Sequence, residues 1–286
     1  MRLPGHGVDI LTHSTVTRYK LHTASPQVSL TYGICNVAVA PVRQSPKDSS
    51  EQVTQLLLGE AIQVLSVRRN WSFVQLMWDG YRGWIDTKQW QRILPSQLDD
   101  ASSLALDTWT DANSGQHAIP VPRGATLPHY DGLRFRLGDT AYQYSGQAIN
   151  AREVPITRDL LIKVARRYLY APYLWGGRSP FGIDCSGFTQ MVYKYFGVRL
   201  RRDASQQVGQ GTAIDFMHQA QPGDLAFFDN DKQRITHVGM VLDDGYIIHA
   251  HGWVRIDRLD HQGIYNEDSR RYTHNFRVLR RMLVIE

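Results

Sequence analysis

Cys185 stands where the sequence changes texture. The run from Tyr173 to Gly182 before it is too rich in glycine, and too close to Pro180, for a regular helix. From Cys185 onward the apolar residues Phe188, Val192 and Tyr195 recur at three- and four-residue steps, which predicts an amphipathic helix stopped by Gly197. Cys185 is therefore expected at a helix N-terminus, where free amides and the positive end of the helix dipole favour thiolate over thiol. A cysteine on an apolar helix face is more often a small buried hydrophobe. The polar approach through Gly182 and Asp184 points to the reactive alternative.

A thiol nucleophile needs a base, and the base needs a third group to hold its ring and tautomer. Thr236–Leu242 and Tyr246–Ala250, joined by Asp243-Asp244-Gly245, predict a β-hairpin. With that turn Gly239 faces His249 and His237 faces His251, so all three histidines share one face. His249 is then the diagonal neighbour of His237 and His251 its direct opposite, and either can serve as the third group. Cysteine with histidines also suits zinc. The spacings do not resemble the close pairs of zinc sites and no acidic ligand accompanies His237, so neither metal nor cofactor is expected.

The elements that must position these residues follow from the rest of the chain. It has 286 residues, 42% hydrophobic and 21% charged, enough for two or three domains. Residues 1–27 have no clear period and are expected to be an arm. Residues 28–96 hold short strand-like runs with the turn Asp79-Gly80, a small all-β barrel. Residues 97–154 repeat the pattern more loosely, as a divergent second copy would. In residues 155–286, Thr157 is a plausible N-cap for a helix with Leu160, Leu161, Val164, Ala165 and Tyr168 on one face, followed by the Cys185 helix, the hairpin and a closing strand at Val278–Ile285. One helical layer on an antiparallel sheet makes this last unit an α+β domain.

The net charge of +5 comes from dispersed basic residues, so no nucleic-acid partner is expected. No run of eighteen apolar residues exists and no membrane contact is expected. The first twenty residues lack an apolar signal core, which favours a cytoplasmic, monomeric protein, or a secreted or periplasmic one if a leader has been removed. Of the two cysteines, Cys35 reads as barrel filler, and the pair falls in different domains, as suits free thiols in a reducing compartment.

Several motifs in order resemble the NlpC-type cysteine peptidases of bacterial cell-wall turnover. These are Tyr173, Trp175-Gly176-Gly177, Gly182-Ile183-Asp184-Cys185-Ser186-Gly187-Phe188, Gln221-Pro222-Gly223-Asp224-Leu225, Thr236-His237-Val238-Gly239-Met240 and Ile248-His249-Ala250. The resemblance covers about residues 155–286 and implies a compact papain-like fold. It implies Cys185 as nucleophile, His237 as base and His249 as third member. Tyr173 would help the Cys185 amide bind the oxyanion. His251 departs from the usual small residue after the His-Ala pair and competes with His249.

Upstream, Gln55-Leu56-Leu57-Leu58-Gly59-Glu60 and Asp79-Gly80-Tyr81-Arg82-Gly83-Trp84 are similar to the first bacterial SH3-like domain of one subgroup. Its members carry two such barrels and release L-Ala-γ-D-Glu from the following meso-diaminopimelate or lysine of free murein peptides, the first barrel demanding a free N-terminal alanine. That implies a carboxylate for the ammonium group, for which Glu60 and Asp184 are candidates. Tyr81 would bound the alanine pocket. Ser186, Ser205 and Arg202 are the donors available to the D-Glu α-carboxylate, Arg202 as a fork. The alternative is a lytic endopeptidase acting on intact wall, tethered by its barrels.

Overall fold

A computed structural model describes residues 30–99 and 103–283. The arm expected over residues 1–27 lies outside them. The first barrel is one seven-stranded antiparallel sheet between Thr31 and Ile93. Alternation in Trp71–Leu76 sends Ser72, Val74 and Leu76 inward. Val74 and Leu76 meet Cys35, Val42, Leu56, Ile62 and Ile85 in a sealed core. Trp90–Ile93, which carries no alternating pattern, forms a further strand against Thr31–Cys35.

The second all-β unit is more fragmented. Its four-stranded sheet uses Trp109–Asn113, Ala118–Pro122, Arg134–Leu137 and Thr140–Tyr144, and Ser103–Ala105 pairs separately with Ala148–Asn150. Phe135, Tyr142 and Tyr144 fill its core together with Ile34, Leu58 and Ile93 of the first barrel. The two all-β units therefore share buried apolar contact.

In the last domain, helix α1 (Arg158–Arg166) is capped by the Thr157 side chain, which accepts from the Leu160 amide. Helix α2 (Cys185–Lys194) begins at the predicted cysteine, and a short helix α3 (Ala204–Gln207) follows. Strands β1 (Thr212–Ile214), β2 (Leu225–Asp229), β3 (Ile235–Val241), β4 (Tyr246–His251), β5 (Trp253–Leu259), β6 (Gly263–Asn266) and β7 (Arg271–Arg281) form one antiparallel sheet in the order β1-β7-β2-β3-β4-β5-β6. Strand β7 pairs with β6 as well as β2, so the sheet closes on itself. The closing strand begins at Arg271, earlier than the apolar run at Val278 suggested.

Helix α2 is buried along its whole length, not on one face. Its apolar side packs on the sheet. The Gln190 and Lys194 side chains, which the periodicity assigns to solvent, are covered by the first barrel: Gln190 Nε2 donates to Asp79 Oδ2 at 2.9 Å and Lys194 Nζ to Glu60 Oε1 at 2.7 Å. Arg178 adds a two-pronged pair to Glu60 at 2.8 and 2.9 Å. Burial at this junction lays the first barrel along the side of α2 that carries Gln190 and Lys194.

Candidate active site

Asp184 fixes the start of α2. Its Oδ1 accepts from the Gly187 amide at 2.6 Å and its Oδ2 from the Gly176 amide at 2.8 Å. Arg202 grips both oxygens, at 3.0 and 2.6 Å, and also donates to Ser186 Oγ at 3.0 Å and Thr54 Oγ1 at 2.8 Å. A side chain at Gly187 would come within 2.2 Å of the Gly177 carbonyl oxygen, so the glycine-rich loop rests directly on the first turn of α2. The spacing Gly-Gly, Asp-Cys-Ser-Gly thus holds one cysteine backbone in place.

Cys185 is 6% exposed and borders a cleft of about 410 Å³. Glu51, Val53 and Tyr81 of the first barrel form one wall, with Trp175, Ser186, Arg202, Asp203, Ser205, Ile235 and Thr236 around the rest. Burial and the Asp184 carboxylate push the Cys185 thiol up to about 12, against the lowering pull of the Val238 and Ser186 amides and Arg202. The helix start alone therefore does not yield the thiolate expected from sequence. The proton has to be removed by a neighbour.

The Val238 amide that faces the sulfur adjoins His237 on β3. Pairing of Gly239 with His249 matches the register expected from the turn. His237 Nε2 lies 2.8 Å from His249 Nδ1, and His249 Nε2 lies 2.9 Å from Asp257 Oδ2. Burial opposes the charge of Asp257, but His249 and Arg255 outweigh it and hold the carboxyl below its usual range. An ionised Asp257 requires N–H at His249 Nε2. His249 Nδ1 is then an acceptor, His237 Nε2 the donor, and His237 Nδ1 keeps a bare lone pair. Burial, then the neighbouring histidines, lower His237 well below the usual range, so its resting ring is neutral. His251 is exposed, its ring 6.5 Å from that of His237, so the hydrogen-bonded partner is His249.

Tyr173 is bridged to Ile183 and half exposed. Burial, then Cys185 and Asp184, raise its phenol far above the ordinary value, and it remains a proton donor.

Three of the expected binding residues are held in buried ion pairs. Glu60 is buried and committed to Arg178 and Lys194, and it borders a separate cavity of about 340 Å³, not the cysteine cleft. Asp184 and Arg202 do reach the cleft, but they saturate each other, so neither is a free partner for an ammonium or carboxylate group. The carboxylates left facing the cleft are Glu51, which accepts from Trp175 Nε1 at 2.7 Å, and Asp203. Tyr81 hydrogen-bonds Asp203; burial and that acidic neighbour push the phenol up to about 12. Ser186 and Ser205 both line the cleft, Ser205 exposed.

Asp257 was missed at the sequence level. Strand β5 places Arg255 opposite His249, and Asp257, two residues on, shares that face. Extending the hairpin parity by one more strand finds it. Replacing Asp257 with Asn removes the charge that fixes the His249 tautomer. The expected result is a fall in kcat of roughly 10²-fold with little change in KM, read from initial rates. An unchanged kcat would remove Asp257 from the relay.

Comparison with known proteins agrees with this geometry. Residues 170–273 match the NlpC/P60 family, and residues 42–89 match the bacterial dipeptidyl-peptidase SH3 domain. A gamma-D-glutamyl-L-lysine dipeptidyl-peptidase of Bacillus cereus is 30% identical over 69% of this chain, and one of Bacillus subtilis is 29% identical over the same share. The alignments span 66% and 71% of those relatives. The crystal structure of an NlpC/P60 family protein from Bacillus cereus superposes with a TM-score of 0.74 at 25% identity, covering 88% of this chain and all of the other.

Proposed function

Because this chain belongs to the NlpC/P60 family of cysteine peptidases and carries a bacterial dipeptidyl-peptidase SH3 domain ahead of its catalytic domain, we propose that it cuts murein peptides after L-Ala-γ-D-Glu. The bond hydrolysed is the one from the γ-carboxyl of D-Glu to meso-diaminopimelate or lysine. The observation that carries this reading is the barrel wall of the cleft. Glu51, Val53 and Tyr81 bound the same space as Cys185, so the room on that side suits a short terminal segment. Glu51 and Asp203 offer negative charge to a free alanine ammonium group, and the half-buried Tyr81–Asp203 pair limits the side chain that fits.

In the proposed reaction, His237 Nδ1 takes the proton from Cys185 and the sulfur attacks the γ-carbonyl. The positive charge on His237 is stabilised through His249 by Asp257. The Cys185 amide and the Tyr173 hydroxyl receive the oxyanion. His237 then protonates the leaving amine of the diamino acid, and water, deprotonated by His237, hydrolyses the thioester. The proposal extends to peptide recycling in the cytoplasm by a monomer, which the free thiols of Cys35 and Cys185 suit.

The amine requirement is tested with paired substrates. Acetylating the alanine amine of L-Ala-γ-D-Glu-diamino acid should lower kcat/KM by about 10²-fold or more, since an unpaired carboxylate is left in a half-closed cleft. Equal rates on the blocked peptide, or on intact wall, would favour a lytic endopeptidase instead.

A further inference from the structure

Sheet closure brings a histidine from the far end of the chain to the proposed base. His274 on β7 stacks on His237, with ring centroids 4.0 Å apart and planes at 24°. Its ring is 5.7 Å from that of His249 and 4.8 Å from that of exposed His251. One ring nitrogen each from His237, His249 and His274 falls within 4.8 Å of the others. The proposed peptide hydrolysis uses only the first two.

From this cluster we infer that His237, His249 and His274 form a binding site for a borderline divalent transition-metal ion of the Zn²⁺ type, and that its occupation turns the peptidase off. The inhibitory half rests on His237 being the base. Zinc is matched by imidazole nitrogens, and three of them converge here. The outer contacts are those that orient metal-binding histidines: His249 Nε2 is held by Asp257 at 2.9 Å, and His274 Nδ1 by Thr273 Oγ1 at 2.9 Å. These leave His249 Nδ1 and His274 Nε2 for the ion. His251 stands at the exposed edge, where a water or its own ring completes the set.

Binding relocates one proton within the His237 ring. The ion takes the lone pair of His249 Nδ1 and occupies His237 Nε2, whose proton moves through solvent to Nδ1. His274 turns out of its stack to supply the third nitrogen. The lone pair that accepted the Cys185 proton is then filled, and the thiol stays protonated. Sequence spacing conceals the set because its members come from three strands, one of them at the far end of the chain.

The test separates binding from catalysis. The full chain carrying Cys185→Ala is titrated with Zn²⁺ by calorimetry and with Co²⁺ by visible absorption. About one ion per chain is expected, with ligand-field bands of a nitrogen–oxygen site and no thiolate charge transfer. Adding His274→Gln in that background should weaken binding about tenfold or more. In the otherwise wild-type chain, Zn²⁺ should inhibit turnover reversibly on chelation, and His274→Gln should raise the inhibitory concentration by a similar factor whatever its basal rate. Loss of binding on Cys185→Ala alone, or no effect of His274→Gln, would overturn the site. Tight binding without inhibition would overturn the switch and count against His237 as the base, leaving the metal site standing.

Discussion

Cys185→Ala is expected to lower the turnover of L-Ala-γ-D-Glu-diamino acid by about 10⁴-fold or more, while the chain stays folded. The sulfur borders the cleft, yet it is 6% exposed and its thiol is held near 12 by burial and Asp184. It contributes little to packing that a methyl group does not, so thermal unfolding should be nearly unchanged. Its part is to supply the atom that becomes acylated. A variant retaining a tenth of the wild-type rate at the same site of cleavage would mean that some other group attacks the peptide.

The second large effect concerns stability. Glu60→Gln should cost about 3–5 kcal/mol, because Arg178 and Lys194 would remain buried as cations without a counter-charge. The associated fall in Tm is roughly 10 °C for a chain of this size. Burial opposes the charge on Glu60, but Arg178 and Lys194 outweigh it and bring its pKa from 4.5 to about 2. A carboxyl lowered on folding stabilises at pH above its unfolded value and loses that contribution as pH falls toward the folded one. Acid unfolding should therefore draw on this group between pH 4.5 and about 2, and Glu60→Gln should flatten that part of the profile. Lys194 behaves differently: burial exceeds the pull of Glu60 and lowers its pKa, and its single contact to Glu60 compares with the two-pronged grip of Arg178. Lys194→Met should accordingly destabilise by less than half as much as Glu60→Gln. The reverse ranking, measured by denaturant unfolding, would contradict this reading of the junction.

Local rules carried parts of this architecture clearly. The change of period at Cys185 locates the start of α2 because capping and helical spacing are short-range effects. The turn at Asp243–Gly245 places Gly239 opposite His249 because a hairpin turn sets the parity of both arms. What stayed hidden depends on distant chain segments. Lys194 and Gln190 look like solvent-facing helix residues until the first barrel covers them. Glu60 sits in a turn, where a carboxylate is normally hydrated, but its partners come from the last domain. Arg202 and Asp184 satisfy each other across a fold that the linear order does not display. His274 reaches His237 only through the closing strand.

Mass analysis of the products from L-Ala-γ-D-Glu-meso-diaminopimelate and its lysine counterpart tests the central claim most directly. The account predicts the intact dipeptide L-Ala-γ-D-Glu and the free diamino acid, in equal amounts, from substrate with an unblocked alanine. Release of alanine, or no cleavage of either peptide by the folded chain, would contradict it.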